Sequence, residues 1–160
     1  MIEANVFSKL PRLLKCENEN IIMYSLRLLV NLSFDKPARE LILSEKVIPI
    51  LVELLKKPKF RSIIICLLYQ ITNDDDTREG FHKTDCLYLI YKLIKHFPEK
   101  IIGKELVSLA INLCTVRANC EKLAEGDQLE AIIKRACKRG DILLFKLIRN
   151  VAQFAPTKHI

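Results

Sequence analysis

Apolar residues recur along this chain at steps of three and four positions, which is the spacing of one face of an α-helix. The run from Ile21 to Leu29 shows this spacing, and similar runs follow at intervals through the chain. No run alternates apolar and polar residues in the way that indicates a β-strand. The pattern therefore predicts an all-α fold.

Four of the apolar runs end in a similar signature, in which an amide side chain is followed by an apolar and a small residue. The successive amides are 39, 42 and 38 residues apart; they are Asn31, Gln70, Asn112 and Asn150. A second apolar helix precedes each amide helix at the same period. Pro11 and Pro49 mark where two of these helices start, because proline fits only the first turn of a helix. Because both the amide helix and the helix before it recur with the same spacing, the sequence predicts an internal repeat.

A shorter helix is predicted between each amide helix and the next repeat. Asp35, Asp76 and Asn119 are its expected N-caps, since short polar side chains accept hydrogen bonds from the free N–H groups of a first turn. Residues 73–76, Asn-Asp-Asp-Asp, are then a loop that carries a cap. A calcium or magnesium site is the alternative for this acidic run, but no further acceptor pattern follows it.

A unit of three helices over about forty residues is typical of armadillo repeats. We therefore expect an armadillo-repeat right-handed superhelix (α-solenoid) of about 3.5 to 4 repeats, forming a single domain over residues 1–160. The first repeat, near 1–34, is partial, and the others lie near 35–74, 75–116 and 117–155. Leu51 and Leu109 are predicted to be interior.

The last amide helix, residues 142–148, has no following repeat, and the chain begins within a repeat. These two features predict a fragment of a longer solenoid, with an exposed apolar patch around Leu143, Leu144 and Leu147. Exposed apolar patches promote association. Self-association through exposed solenoid ends is therefore expected.

In armadillo proteins the third helix lines a concave groove, which makes the amide face the candidate protein-binding site. On such a helix each amide shares a face with the residues four and seven positions earlier. The candidate site residues on or beside this face are Arg27, Asn31, Cys66, Gln70, Ser108, Asn112, Lys146, Arg149 and Asn150. An amide ladder can bond the main chain of an extended peptide. Alternatively, the amides bond the backbone of neighbouring repeats.

The formal net charge of +7 bears on the partner and not on the fold. The basic residues are spread, except for one denser stretch at residues 134–139 that is predicted to be a solvated helix face; its members are Lys134, Arg135, Lys138 and Arg139. An acidic protein partner is the next interpretation. Nucleic acid is disfavoured because no interleaved aromatic residues offer stacking. No apolar run has the roughly 18 residues of a membrane span.

Six cysteines are present, and none forms a CxxC pair. Four of them lie in apolar-periodic stretches, where a free cysteine behaves as a small core residue; they are Cys66, Cys86, Cys114 and Cys137. Reduced thiols in a cytosolic protein are therefore expected. The histidines show no ligand spacing with the cysteines, and zinc needs about four converging ligands. No metal and no cofactor are predicted.

An enzyme is the alternative from a different class. Cys120 and Cys86 are the least core-like thiols, and His82 lies four residues before Cys86. A catalytic thiol would need such a base beside it. The sequence contains neither a glycine-rich phosphate loop nor a G-x-S-x-G elbow. A non-catalytic role is therefore predicted.

Several segments, in one order across residues 26–158, resemble the kinesin-associated protein family, the non-motor subunits of heterotrimeric kinesin-II. The more specific segments are Leu-Tyr-Gln-Ile at 68–71 with the acidic run at 74–76, and Pro-Thr-Lys at 156–158. The helices at 87–94 and 129–137 are looser matches. The resemblance implies a cytoplasmic, cytoskeletal or ciliary adaptor. Such a protein binds the tails of the kinesin-II motor subunits and links them to cargo proteins, including in intraflagellar transport.

A generic armadillo adaptor is the alternative within the repeat class. β-Catenin-like proteins bind acidic extended peptides in a basic groove, in adhesion or signalling, and Arg27, Lys146 and Arg149 suit such a ligand. Nuclear import adaptors of the same fold pair their asparagine with a tryptophan one turn earlier. This chain contains no tryptophan, so the import-adaptor interpretation is disfavoured.

Overall fold

Helices are the regular elements of this computed structural model, which describes residues 4–98 and 102–154. No β-strand occurs among these residues, and the predicted all-α, α-solenoid class is confirmed. Two 3-10 helices span Ala4–Lys9 and Glu79–Lys83. The α-helices of the described residues are α1 Leu10–Leu14, α2 Glu19–Leu32, α3 Lys36–Ser44, α4 Ile48–Leu55, α5 Pro58–Ile71, α6 Asp75–Arg78, α7 Cys86–Lys95, α8 Lys104–Leu113, α9 Arg117–Ala124, α10 Gln128–Arg139 and α11 Ile142–Ala152.

These helices form two compact units, one ending at Asn73 and the other beginning at Asp74. In the first unit α1 packs on α2 and α4, and α5 packs on α2 and α4. In the second unit α7 packs on α8 and α10, and α11 packs on α8, α9 and α10. Within each unit, helices that occupy the same place in successive predicted repeats therefore lie side by side. The single-domain assignment and the repeat boundaries stay predictions.

Prolines and short polar side chains set where several helices begin. Pro11 and Pro49 lie in the first turns of α1 and α4, as predicted, where a missing N–H costs no helical hydrogen bond. Asp35 caps α3, because its carboxylate accepts a hydrogen bond from the backbone N–H of Ala38 at 3.1 Å. A cap of this kind stabilises a helix by about 1 kcal/mol.

Two other predicted caps are wrong. Helix α6 begins at Asp75, so Asp76 lies inside it and the predicted loop at 73–76 is partly helical. Helix α9 begins at Arg117, so Asn119 lies in its first turn. Asn119 is 1% exposed, and its side chain bonds the preceding long helix instead of the N–H groups of its own.

In three of the four repeats the small residue of the signature follows the long helix and is buried, whereas the fourth, Ala152, lies within α11 and is exposed. Ser33, Thr72 and Cys114 follow α2, α5 and α8, and all three are 0% exposed. The hydroxyls of Ser33 and Thr72 donate to the carbonyls of Val30 and Tyr69, at 2.7 and 3.0 Å. At these three helix ends the residue is small enough to be buried, and in two of them its hydroxyl also bonds a carbonyl oxygen that lacks a helical partner.

A side chain from the next short helix bonds the same helix end. Arg39 donates to the carbonyl of Ser33 at 2.7 Å, and Cys120 donates to the carbonyl of Cys114 at 2.9 Å. Cys120 is 0% exposed because it occupies this position. The prediction that Cys120 and Cys86 are the least core-like thiols is wrong, since Cys86 is also 0% exposed.

The predicted apolar patch on α11 is also wrong. Leu144 and Leu147 are both 0% exposed and Leu143 is half-buried, because this side of α11 packs against its neighbouring helices. The exposed apolar side chains of α11 are Ile142 and Phe145. Leu51 and Leu109, in contrast, are 0% exposed, as predicted.

The inward face of α10 corrects two further expectations. This face buries Leu129, Ile132 and Ala136. Cys137, predicted to be a core residue, is exposed because it lies one position beyond that face. Arg135, predicted to be solvated, is half-buried and donates to the carbonyl of Phe97 at 3.1 Å. Burial lowers the pKa of this guanidinium.

A lysine occupies a backbone position that suits glycine in the turn before α4. Lys46 has a φ of 54°, and Gly126, at the same distance before α10, has a φ of 62°. The left-handed conformation costs a side-chain-bearing residue about 1–2 kcal/mol. Lys46→Gly removes this cost, but glycine also adds conformational entropy to the unfolded chain, which opposes the gain. We therefore expect a net rise in the free energy of unfolding of about 0.5–1 kcal/mol, measured by urea titration.

Gly126→Ala is the matched control for this turn. A Cβ at Gly126 would meet no atom within 4 Å, so the substitution tests backbone conformation alone. It should lower the free energy of unfolding by about 1 kcal/mol. Opposite signs for the two variants support the interpretation, and a loss of stability in both contradicts it.

Candidate protein-binding surfaces

The predicted site residues lie on two pairs of neighbouring helices, one pair in each unit. The α2–α5 surface comprises Arg27, Asn31, Cys66 and Gln70. The α8–α11 surface comprises Ser108, Asn112, Lys146, Arg149 and Asn150. Within each pair the two helices are in contact. The sequence therefore placed these residues on neighbouring helices, while their role in binding stays a prediction.

The α2–α5 surface is open to solvent at its α2 edge. Arg27 and Asn31 are exposed, and Cys66 and Gln70 are half-buried. Tyr24 is 67% exposed, and the Arg27 guanidinium lies 6.0 Å from the centroid of its ring. Tyrosine and arginine are residue types that are enriched at the energetic centres of protein interfaces. This edge therefore offers a rigid aromatic side chain next to a cation.

An exposed ion pair joins the starts of α2 and α5, at the other end of the two helices. Lys59, in the first turn of α5, lies 2.6 Å from the carboxylate of Glu19, the first residue of α2. The hydrogen bond from Lys59 holds the pKa of the Glu19 carboxyl below its usual range. Near the end of α5, Gln70 Oε1 accepts from Asn73 Nδ2 at 3.2 Å. The amide of Gln70 is thus engaged locally.

The α8–α11 surface combines exposed cations with more enclosed polar groups. Lys146 and Arg149 are exposed, while Ser108 and Asn112 are half-buried. Asn150 Nδ2 donates to the carbonyl of Ile111 on α8, at 3.4 Å. At Asn150 the structure therefore favours the alternative in which the amide bonds the backbone of a neighbouring helix.

The charges exposed on each surface are predominantly positive. On the α2–α5 surface Glu19 is neutralised by Lys59, which leaves Arg27 as an exposed cation. On the α8–α11 surface Lys146 and Arg149 are exposed, and Glu105, on the same side of α8 as Ser108 and Asn112, is an exposed carboxylate. Two cations against one anion favour an acidic ligand on this surface.

Exposed aliphatic side chains extend the α2–α5 surface, and the sequence did not identify them. Ile21 and Leu28 are each 41% exposed. Helix α2 buries a narrower stripe that includes Ile22, Leu26 and Leu29. The signal that could have revealed the exposed pair is that α2 has more apolar positions than one inward face can bury.

Among the described residues the two thiols singled out by the sequence differ, since the pKa of Cys120 is lowered by its hydrogen bond with Cys114 while that of Cys86 is raised. Burial raises the pKa of the Cys86 thiol to about 12, which is the reverse of what a nucleophile needs. No group of three or more His, Cys, Asp or Glu residues converges to hold a metal within the described part of the chain. In the acidic run, Asp75 pairs with Arg78 at 2.7 Å.

None of the helices in residues 4–98 and 102–154 is long and apolar enough to cross a membrane. A family model described as kinesin-associated protein (KAP) matches residues 1–160, the whole chain. The chain belongs to the kinesin-associated protein family. The resemblance found at residues 26–158 is confirmed, and membership places the chain among the kinesin-associated accessory proteins.

The fold of this KAP-family chain is also found in a solved structure. A crystal structure of an engineered protein is similar with a TM-score of 0.78 and 14% sequence identity. The similarity covers 96% of this chain, whereas this chain spans 65% of the engineered protein. At this identity the similarity shows the fold alone and says nothing about partners.

Proposed function

We propose that this KAP-family chain is a non-catalytic scaffold that binds the tails of kinesin-II motor subunits and links them to cargo proteins. The transport concerned is microtubule-based and includes intraflagellar transport, in the cytoplasm and the cilium. The observation that carries this proposal is the family match over the full length of the chain. The exposed helix-pair surfaces are consistent with a binding role.

The proposed contact is between the third helices of the repeats and an acidic segment of a motor tail. Lys146 and Arg149 project from the α8–α11 surface, and Arg27 projects from the α2–α5 surface. Long-range attraction of this kind acts mainly on the association rate and weakens as salt screens it. On the α2–α5 surface, Tyr24 and Leu28 would add apolar contact to a segment docked there.

Charge reversal on α11 should slow binding of a motor-tail peptide. We expect the double variant Lys146→Glu, Arg149→Glu to reduce the association rate by about three- to tenfold at low ionic strength. The reduction should shrink at high ionic strength. Adding Arg27→Glu should slow association further. The measurement is stopped-flow fluorescence with a labelled tail peptide at two salt concentrations.

The control reverses the same number of charges on α10. Lys134 and Lys138 are exposed in the same unit, so Lys134→Glu, Lys138→Glu produces an equal change in net charge away from the proposed surface. This variant should slow association less than the α11 variant does. If it slows association more, the tail binds the second helices and the proposed surface is wrong.

A generic armadillo adaptor is the second candidate function, and the exposed cations of both surfaces favour it equally. Such a protein would bind acidic extended peptides of adhesion or signalling proteins. The chain used as bait in a pull-down separates the two candidates, because the first predicts motor tails among the captured proteins and the second predicts adhesion or signalling tails. The first candidate is supported if motor tails are captured by the native chain and are captured less by the Lys146→Glu, Arg149→Glu variant.

A further inference from the structure

An apolar cleft, the α1–α4 cleft, opens within the first unit between the end of α1, the first turns of α2 and helix α4. It has a volume of about 420 Å³, and the buried side chains of Leu14, Ile22 and Leu54 form part of its lining. At ~30 Å³ for each water molecule, this space holds about fourteen waters and lies near the lower end of the volumes at which proteins bind small ligands. It therefore suits one or two large side chains better than a whole helix.

The mouth of the α1–α4 cleft is open to solvent. The exposed residues that line it are Lys15, Pro49, Glu53 and Lys57, and Ile50 beside them is half-buried. Water in an apolar cleft finds few hydrogen-bond partners, so an apolar group that displaces it gains affinity. An occupant would thus bury an apolar side chain and meet polar atoms that solvent already reaches.

The charge on the lining of the cleft is positive in excess. Lys15 and Lys57 form no ion pair with a described residue. Glu53 is the one carboxylate among the described lining residues, and Lys56, outside the lining, pairs with it at 2.7 Å. The ammonium groups of the two lining lysines therefore remain available to an anionic occupant.

The charges just outside the lining do not cancel this excess. The hydrogen bond from Lys59, at 2.6 Å, lowers the pKa of the Glu19 carboxyl, and the charge of Lys57 adds to that effect, so two cations share one carboxylate. Glu17, exposed in the turn before α2, offsets at most one positive charge. The last carbonyls of α4 accept hydrogen bonds from Arg61, which meets the partial negative charge of that helix end. The mouth thus favours an acidic occupant.

We propose that the α1–α4 cleft binds an acidic segment of a partner protein that carries one large apolar side chain. The apolar side chain enters the cleft, and the carboxylates beside it contact Lys15 and Lys57 at the mouth. This arrangement is the apolar centre and polar rim of an ordinary protein interface on a small scale. The attraction proposed for the α8–α11 surface needs no apolar anchor, so the two sites select different segments. The inference does not rest on the motor-tail proposal.

The test is an NMR titration of the full ¹⁵N-labelled chain with three short peptides. The first is acetyl-Glu-Phe-Glu-amide, which should shift the backbone resonances of residues 14–16 and 50–57. The second, acetyl-Gln-Phe-Gln-amide, keeps the shape and removes the charge. The third, acetyl-Glu-Ala-Glu-amide, keeps the charge and removes the apolar ring. The second and third peptides should each bind at least several-fold more weakly than the first.

Two variants test the part played by the charge at the mouth. Lys15→Gln should weaken binding of the first peptide by about two- to fivefold, the usual effect of one exposed charged contact. Lys36→Gln removes the same charge from an exposed position of α3 outside the cleft lining, and should leave the affinity unchanged. Both side chains are exposed, so neither variant should unfold the chain.

A cysteine in the lining allows the cleft itself to be blocked. Cys16 is half-buried and lines the cleft. Alkylation by N-ethylmaleimide, with modification of Cys16 verified by mass spectrometry, should abolish the shifts caused by the first peptide. The variant Cys16→Ala, treated in the same way, should still bind, because its other thiols react as they do in the native sequence. Circular dichroism of both treated chains checks that the helices are retained.

Four results would overturn the proposal. Equal binding of the phenylalanine and alanine peptides would show that no apolar anchor is used. Equal weakening by Lys15→Gln and Lys36→Gln would show that only overall charge matters. Undiminished binding to the chain alkylated at Cys16 would place the peptide elsewhere. Shifts in residues 14–16 and 50–57 on addition of dodecanoate, with none on addition of the first peptide, would make the cleft a fatty-acid site.

Discussion

Leu51→Ala should lower the free energy of unfolding by about 2–5 kcal/mol. Leu51 lies in the middle of α4 and is 0% exposed. Helix α4 packs between α1 and α5 in the first unit, so the lost side chain leaves a cavity that the surrounding helices can fill only in part. The loss combines the transfer free energy of the removed atoms with the cost of that cavity. Urea titration followed by circular dichroism measures it.

Leu41→Ala is the control, because it removes the same atoms from the surface of the same unit. Leu41 lies on α3 and is 38% exposed. Its replacement should cost less than about 1 kcal/mol, since part of its surface is already in contact with water. A change below about 0.5 kcal/mol for Leu51→Ala, or equal losses for the two variants, would show that the inward face of α4 is misassigned.

The position of the helices could be predicted because the signals for it are local. Pro11 and Pro49 fix the first turns of α1 and α4, and Asp35 caps α3, all through atoms within a few residues in the sequence. A helix located in one repeat then predicts the corresponding helix one period further along the chain. Leu51 and Leu109 were interior for the same reason, since each lies in the centre of an apolar stripe.

The side of a helix that faces inward was harder to predict where apolar residues surround the helix. Leu144 and Leu147 were expected at the surface, yet the packing of α11 on α8, α9 and α10 buries them and leaves Phe145 exposed. Cys137 was expected in the core, yet the core face of α10 ends at Ala136. Which face of a helix is buried depends on which helices are its neighbours, and the periodicity of a single helix does not contain that information.

The partners of the polar side chains were the least predictable part of the candidate site. Asn150 bonds the carbonyl of Ile111, 39 residues earlier, and Asn119 bonds the end of α8 instead of capping α9. Asn150 lies on its predicted helix, whereas Asn119 was expected to cap α9 and lies inside it, and in both cases the acceptor belongs to another helix.

Raising the pH should destabilise the chain through a buried thiol. Cys86 is the first residue of α7, and the start of a helix by itself favours a thiolate. Burial has the larger effect here, since the side chain is 0% exposed and its pKa is raised from 9.0 to about 12. The folded state therefore holds the proton more tightly than the unfolded state does. Stability from this group is complete below about pH 9 and is lost as the pH rises toward about 12.

The expected loss between about pH 8 and pH 10.5 is about 2 kcal/mol, because each pKa unit corresponds to about 1.4 kcal/mol. Urea titrations at the two pH values should show this loss for the native sequence and for Cys137→Ala, whose thiol is exposed. Cys86→Ala should be less stable near pH 8, since it leaves a small cavity, but its stability should decline about 2 kcal/mol less over the same range. A decline in Cys86→Ala as steep as in the native sequence would assign the alkaline loss to other groups, among which Cys114 is the first candidate because its pKa is also raised, by its hydrogen bond with Cys120 and by burial.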